Sequence, residues 1–76
     1  MNVTVYTTPT WPWCHKVKDY LKLQNIAFSE KDVSRDRNAA MEMIHKSNQQ
    51  GVPVIDIDGN IVVGFDKGSI DNLLGL

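Results

Sequence analysis

Trp11, Pro12, Trp13 and Cys14 follow directly on a short alternating stretch and open a segment of helical period. A thiol at the start of a helix faces unpaired backbone N–H groups and the positive end of the helix dipole, both of which favour an anion, so a cysteine there is a usable nucleophile. The competing fate of a free cysteine is burial as a small hydrophobe. The position of Cys14, in a turn and not inside an element, favours chemistry. It is the single cysteine of the chain, which excludes an internal disulfide, a cysteine-rich zinc site and an iron–sulfur cluster ligated by one chain. His15 completes a pattern close to the haem-attachment signature Cys-x-x-Cys-His without its first cysteine, and a compact turn leaves little room for a porphyrin. His15 and His45 read as surface residues, and Met41 and Met43 as filler of the core or its margin.

The elements that must position Cys14 are marked by changes of period. Residues 2–7 alternate Val3 and Val5 with polar partners, which predicts a strand. Thr8, Pro9 and Thr10 break it, and Pro12 suits a first helical turn, where a missing N–H is tolerated. Val17, Tyr20 and Leu21 then recur at helical spacing, with Lys16, Lys18, Asp19 and Lys22 on the other faces and Asn25 as a left-handed stop. Residues 26–33 alternate again and give a second strand. Residues 34–38 form a polar, capping-rich turn before a helix with Ala40, Met43 and Ile44 on one stripe, which Gly51 ends. Residues 52–57 and 61–63 are β-branched runs joined by Asp58, Gly59 and Asn60, a strong hairpin signal. Gly64, Phe65 and Asp66 lead into a short last helix with Asp66 as N-cap and Ile70, Leu73 and Leu74 on its apolar side. The order βαβαββα predicts an α/β chain: a parallel βαβ unit and an antiparallel hairpin in one four-stranded mixed sheet, with helices on both faces.

Size and charge narrow the function. A chain of 76 residues, 42% hydrophobic and 22% charged, predicts a single domain over residues 1–76. Eight basic against nine acidic side chains give a formal net charge of −1, without the broad basic surface that nucleic-acid binding needs. No run of about 18 apolar residues points to a membrane span, and no charged-then-apolar leader points to export. The expectation is a soluble, cytoplasmic, monomeric protein with a free thiol.

Over its whole length the chain resembles the glutaredoxins, small members of the thioredoxin-fold family. Residues 3–14 resemble the family's first strand followed by a Cys-Pro-aromatic-Cys active site. Gly51-Val52-Pro53-Val54 resembles its loop with a cis proline, and Val63-Gly64-Phe65-Asp66 resembles its glutathione-binding turn. The resemblance implies a thioredoxin-like fold and glutathione-linked thiol–disulfide exchange, with glutathione as co-substrate and no tightly bound cofactor. Its partners would be glutathione and glutathionylated or disulfide-containing proteins. By the same resemblance residue 11 is the attacking position and Cys14 the resolving one. Val52, held by a cis bond to Pro53, offers its backbone N–H and C=O to an extended thiol peptide. Asp66 receives the α-amino group of glutathione, Gly64 and Phe65 allow close backbone approach, Gln50 helps to hold the ligand, and Trp13 replaces a flanking tyrosine.

Two departures from the family pattern matter. Thr8 stands where many members place a lysine for the glycine carboxylate of glutathione; its hydroxyl supplies no charge, and Lys16 is either the substitute or a solvated surface lysine. Trp11 stands at the attacking position, and indole cannot attack a disulfide. Either the residue is tryptophan and normal turnover is lost or badly impaired, or it conceals a selenocysteine whose codon is read as tryptophan under another convention. The rival functions are a redox-inert module that uses the same groove, with Trp11 and Trp13 as an aromatic contact, and capture of Cu(I) or Zn(II) by Cys14 together with an external or neighbouring thiol or selenol.

Overall fold

The computed structural model describes residues 1–76. Its elements are β1 (Val3–Thr7), α1 (Pro12–Leu23), β2 (Ser29–Asp32), α2 (Arg37–Ser47), β3 (Val54–Ile57), β4 (Asn60–Val63) and α3 (Lys67–Leu74). The expected order βαβαββα is found. The strands form one mixed sheet in the order β2-β1-β3-β4, with β1 parallel to β2, antiparallel to β3, and β3 antiparallel to β4.

Alternation along β1 decides which side chains meet which helix. Val3 and Val5 join Ile55, Ile57 and Val62 under α1 (Val17, Leu21) and α3 (Ile70, Leu74), while Tyr6 and Val54 face Met43 of α2. Helices therefore cover both faces, as this arrangement of apolar positions requires.

Several boundaries differ from the sequence expectation. The second strand is confined to Ser29–Asp32, within the expected 26–33, because Ile26 is consumed in ending α1. Asn25 takes a left-handed φ of 59°, the Ile26 N–H donates to the Leu21 carbonyl at 2.9 Å and the Asn25 N–H to the Lys22 carbonyl at 3.0 Å. This is a Schellman cap with asparagine in the glycine position. The second helix begins at Arg37, inside the expected turn, since Asp36 caps it by accepting the Ala39 N–H at 3.1 Å. It ends before Gly51, because Asn48 already turns left-handed, and it buries Ala39 with Met43 where Ala40 was expected. The third strand starts at Val54, after the Val52–Pro53 peptide, which is cis, and Asn60 belongs to β4, paired with Ile57. The hairpin turn is thus Asp58-Gly59, both residues at positive φ (51° and 90°), the geometry that right-twisted strands favour.

Candidate functional site

The end of β1 is anchored before the chain enters the loop of residues 8–11. The buried Thr7 hydroxyl donates to Glu30 at 3.0 Å, and Lys18 of α1 donates to the same oxygen at 2.8 Å. One carboxylate thus ties the end of β1 and the flank of α1 to β2. The Lys18 ammonium, and secondarily the Thr7 hydroxyl, hold the Glu30 carboxyl below the usual carboxylate range against its partial burial. On the other side of the loop, His15 Nε2 lies 3.0 Å from the Pro9 carbonyl oxygen. A carbonyl only accepts, so Nε2 carries the proton in this bond and His15 closes the loop against α1. The surface role read for His15 from the sequence gave no sign of this.

Trp11 is the N-cap of α1, Pro12 occupies its first position, and Cys14 lies one turn in. The Trp11 side chain is 56% exposed and makes no capping bond, whereas Cys14 is fully buried and free. One side of the motif is open and the other sealed. Trp13, also largely exposed, carries the Lys16 ammonium 4.3 Å from its ring centroid.

Two adjoining depressions meet at Val52. Trp13, Val52, Pro53, Gly64 and Phe65 line a mostly apolar cleft of about 310 Å³. Trp11, Gln50, Gly51 and Val52 line a second of about 240 Å³. Val52 is not part of the sheet, and its N–H and C=O make no hydrogen bond within the chain, while the carbonyl of Pro53 accepts the Gly64 N–H at 2.8 Å. That last bond fixes the Gly64 turn, at φ 78°, beside the Val52–Pro53 segment.

Seven of the residues singled out from the sequence therefore share this surface: Trp11, Trp13, Gln50, Val52, Pro53, Gly64 and Phe65. Cys14 is buried and lines neither cleft. Two others stand apart. Thr8 lines neither cleft, and its hydroxyl lies 3.5 Å from that of Thr10. Asp66 caps α3 as expected, accepting the Ser69 hydroxyl at 2.8 Å and the Ser69 N–H at 3.2 Å, and it borders a larger depression of about 400 Å³ along the free edge of β4. The Ser69 hydroxyl, then its N–H, hold the Asp66 carboxyl below the usual range, so this group stays anionic.

Comparison with known proteins agrees with this geometry. A family model described as Glutaredoxin matches residues 3–62. The chain belongs to the glutaredoxin family. This is a family of thiol–disulfide oxidoreductases with the thioredoxin-like α/β fold described above. Among glutaredoxin relatives, an uncharacterized glutaredoxin-like 8.6 kDa protein in the rubredoxin operon of Clostridium pasteurianum is 53% identical over 72 residues, covering 95% of this chain and 96% of its own. Glutaredoxin 3 of Escherichia coli strain K12 is 34% identical over 80 residues, with 96% of each chain covered. Among solved structures, the thioredoxin-like protein BC3987 superposes with a TM-score of 0.89 at 35% identity, over 95% of this chain and 99% of its own. The glutaredoxin-like protein NrdH-redoxin of Escherichia coli superposes with a TM-score of 0.86 at 25% identity, over 96% and 95%.

The sequence reading missed the support behind this glutaredoxin cleft. Phe65 packs on Tyr20 of α1, with ring centroids 5.6 Å apart, and the Tyr20 hydroxyl donates to Asp71 of α3. Spacing alone placed Tyr20 on the apolar stripe; its partner 51 positions away left no local signal.

Proposed function

We propose that the protein carries out glutathione-dependent thiol–disulfide exchange, with position 11 as the seat of the nucleophile in the active form and Cys14 as the resolving thiol. The observation that carries this reading is the placement of position 11, exposed at the N-cap of α1 beside Gln50, Gly51 and the unpaired backbone of Val52. A thiolate or selenolate at an N-cap accepts from the N–H groups of the first turn, which stabilises the anion. The Val52 N–H and C=O lie ready to pair with an extended thiol peptide, and Trp13 and Phe65 supply apolar contact.

In this scheme the anion at position 11 attacks a sulfur of a protein–glutathione disulfide. A bond forms between residue 11 and glutathione, and the protein leaves as a thiolate that takes up a proton. A second glutathione thiolate then attacks the mixed disulfide, releasing oxidised glutathione and regenerating the anion. Where the substrate is a protein disulfide, the first turn of α1 opens and the Cys14 thiolate attacks residue 11 of the mixed disulfide, which releases the substrate as a dithiol and joins residues 11 and 14; two glutathione thiols then reduce that bond in succession and leave as oxidised glutathione. Tryptophan at position 11 supports binding in the cleft but neither attack.

A disulfide-reduction assay on the Trp11 chain, Trp11→Cys, and Trp11→Cys with Cys14→Ser tests the reading. Activity is expected to appear with Trp11→Cys and to persist toward glutathione mixed disulfides without Cys14. A folded but inactive Trp11→Cys overturns it. The codon and the intact mass of the native protein identify residue 11: a UGG codon with a tryptophan mass ends the selenocysteine reading and leaves the Trp11 chain as a binding module.

A second reading concerns the electron donor. Thr8 lies outside the clefts and is uncharged, and Asp66 is engaged with Ser69, so two contacts expected for glutathione are weakened. NrdH-redoxin, a structural relative, has a thioredoxin-like activity profile. A dithiol donor reducing Trp11→Cys faster than glutathione at equal thiol concentration would favour that profile here.

A further inference from the structure

Phe65 forms one wall of the larger cleft, yet it lies in the turn between β4 and α3, where no ladder fixes it. Its ring is held between two others: Trp13, at 6.5 Å between centroids and tilted by 48°, and Tyr20, at 5.6 Å and 54°. Both separations lie in the range where tilted aromatic pairs attract. Trp13 is itself 54% exposed and gives little resistance, so the firm side of the sandwich is Tyr20.

Tyr20 in turn is fixed at both ends. Its ring packs against the core formed by β1, β3, β4, α1 and α3. Its hydroxyl donates to Asp71, whose other oxygen accepts Lys67 at 2.7 Å, and the Lys67 ammonium lies 5.3 Å from the Tyr20 ring centroid. The bond to Asp71 is the main reason that the Tyr20 phenol titrates above its ordinary value, so it keeps its proton and donates across the physiological range. We infer that Tyr20 is a positioning residue: anchored to Asp71 on α3, it sets the position of the Phe65 ring and with it the width of the cleft between Phe65, Trp13 and Val52–Pro53. Cleft geometry then depends on α3, which contributes no residue to the cleft itself. As regards the ligand, the inference rests on the glutathione reading of this cleft; as regards the wall, it stands on the ring contacts alone.

The test uses the Trp11 chain and the non-reacting probe S-methylglutathione. Tyr20→Phe keeps the ring and deletes the hydroxyl; Asp71→Leu removes the acceptor. Without ligand, each is expected to shift the Phe65 ring resonances and the Trp13 indole N–H signal in NMR spectra. With the probe, each is expected to weaken binding by about threefold to tenfold, the range of one aromatic contact. The double variant should be no weaker than either single one, because both cut the same link. Tyr20→Phe that leaves the Phe65 and Trp13 signals in place overturns the inference, as does a shifted wall with unaltered affinity. A loss of thermal stability alone, with signals and affinity retained, overturns it too. If the parent chain fails to bind the probe, the glutathione reading fails, and the ring signals still decide whether Tyr20 sets the wall.

Discussion

The Cys14 N–H donates to the Trp11 carbonyl at 3.1 Å, so Trp11 is the N-cap of α1 and the buried thiol lies one turn inside it. An N-cap side chain stabilises its helix by accepting a first-turn N–H, and indole has only a donor. Trp11→Ser is therefore expected to raise stability by about 1 kcal/mol over Trp11→Ala, and Trp11→Asp at least as much, since its charge also meets the helix dipole. Urea unfolding midpoints measure this directly. Serine no more stable than alanine would mean that the first turn does not present its N–H groups to position 11.

Cys14 is buried within α1, with no exposed surface and no disulfide partner. Alkylation of its sulfur must wait for α1 to open locally, so iodoacetamide should label the native chain far more slowly than the urea-unfolded one, at a rate that follows local opening. Cys14→Ser places a hydroxyl at a fully buried position and is expected to cost about 1–3 kcal/mol, more than Cys14→Ala where the small cavity collapses. Rapid labelling of Cys14 in the native state, seen by intact mass, would contradict the sealed position.

How far the chain could be read in advance depended on whether each signal was local. The strands, the hairpin, the Asn25 stop and the Asp66 cap are all set within a few residues, and all are present. The same holds for the cluster of Trp11, Trp13, Val52, Pro53, Gly64 and Phe65, because each motif lies at the end of a strand and the sheet order brings those ends together. What stayed hidden was pairwise and distant. Thr7 with Glu30, and Tyr20 with Asp71, join residues that no period connects. The shortened second strand had a local cause that alternation masks: Ile26 fits a strand pattern but serves the helix cap.

That cap yields a clean substitution. Asn25 holds a φ of 59°, which an ordinary L residue adopts at a cost of about 1–2 kcal/mol and glycine adopts freely. Asn25→Ala should destabilise the protein by roughly 1 kcal/mol, while Asn25→Gly should be neutral or slightly stabilising. Thermal unfolding of the pair checks this. Equal loss in both variants would point to a contact of the asparagine side chain and away from backbone conformation.

Charge pairs set the pH range of the fold. Glu30 is held below its ordinary pKa chiefly by Lys18, and Asp71 by Lys67. A carboxyl depressed in the folded state stabilises it above the unfolded value, about 4, and that contribution is lost as pH falls through the folded value. Lys46, Lys31 and Lys67 are shifted upward, chiefly by hydrogen bonds to Asp56, Glu42 and Asp71. Their contribution is complete below the unfolded value, about 10.4, and is lost as pH rises through the folded one. The melting temperature should therefore be flat from about pH 5 to about pH 10 and fall on both sides. Glu30→Gln isolates one part of the acid limb at the point where β1 meets the site loop. It leaves Thr7 a neutral acceptor but removes the charge opposite Lys18, so it should melt below the parent at pH 7, with the gap closing as pH falls through the lowered folded-state value of Glu30. A gap that stays constant across that range would show that the Glu30 charge contributes nothing and that the substitution acts through packing alone.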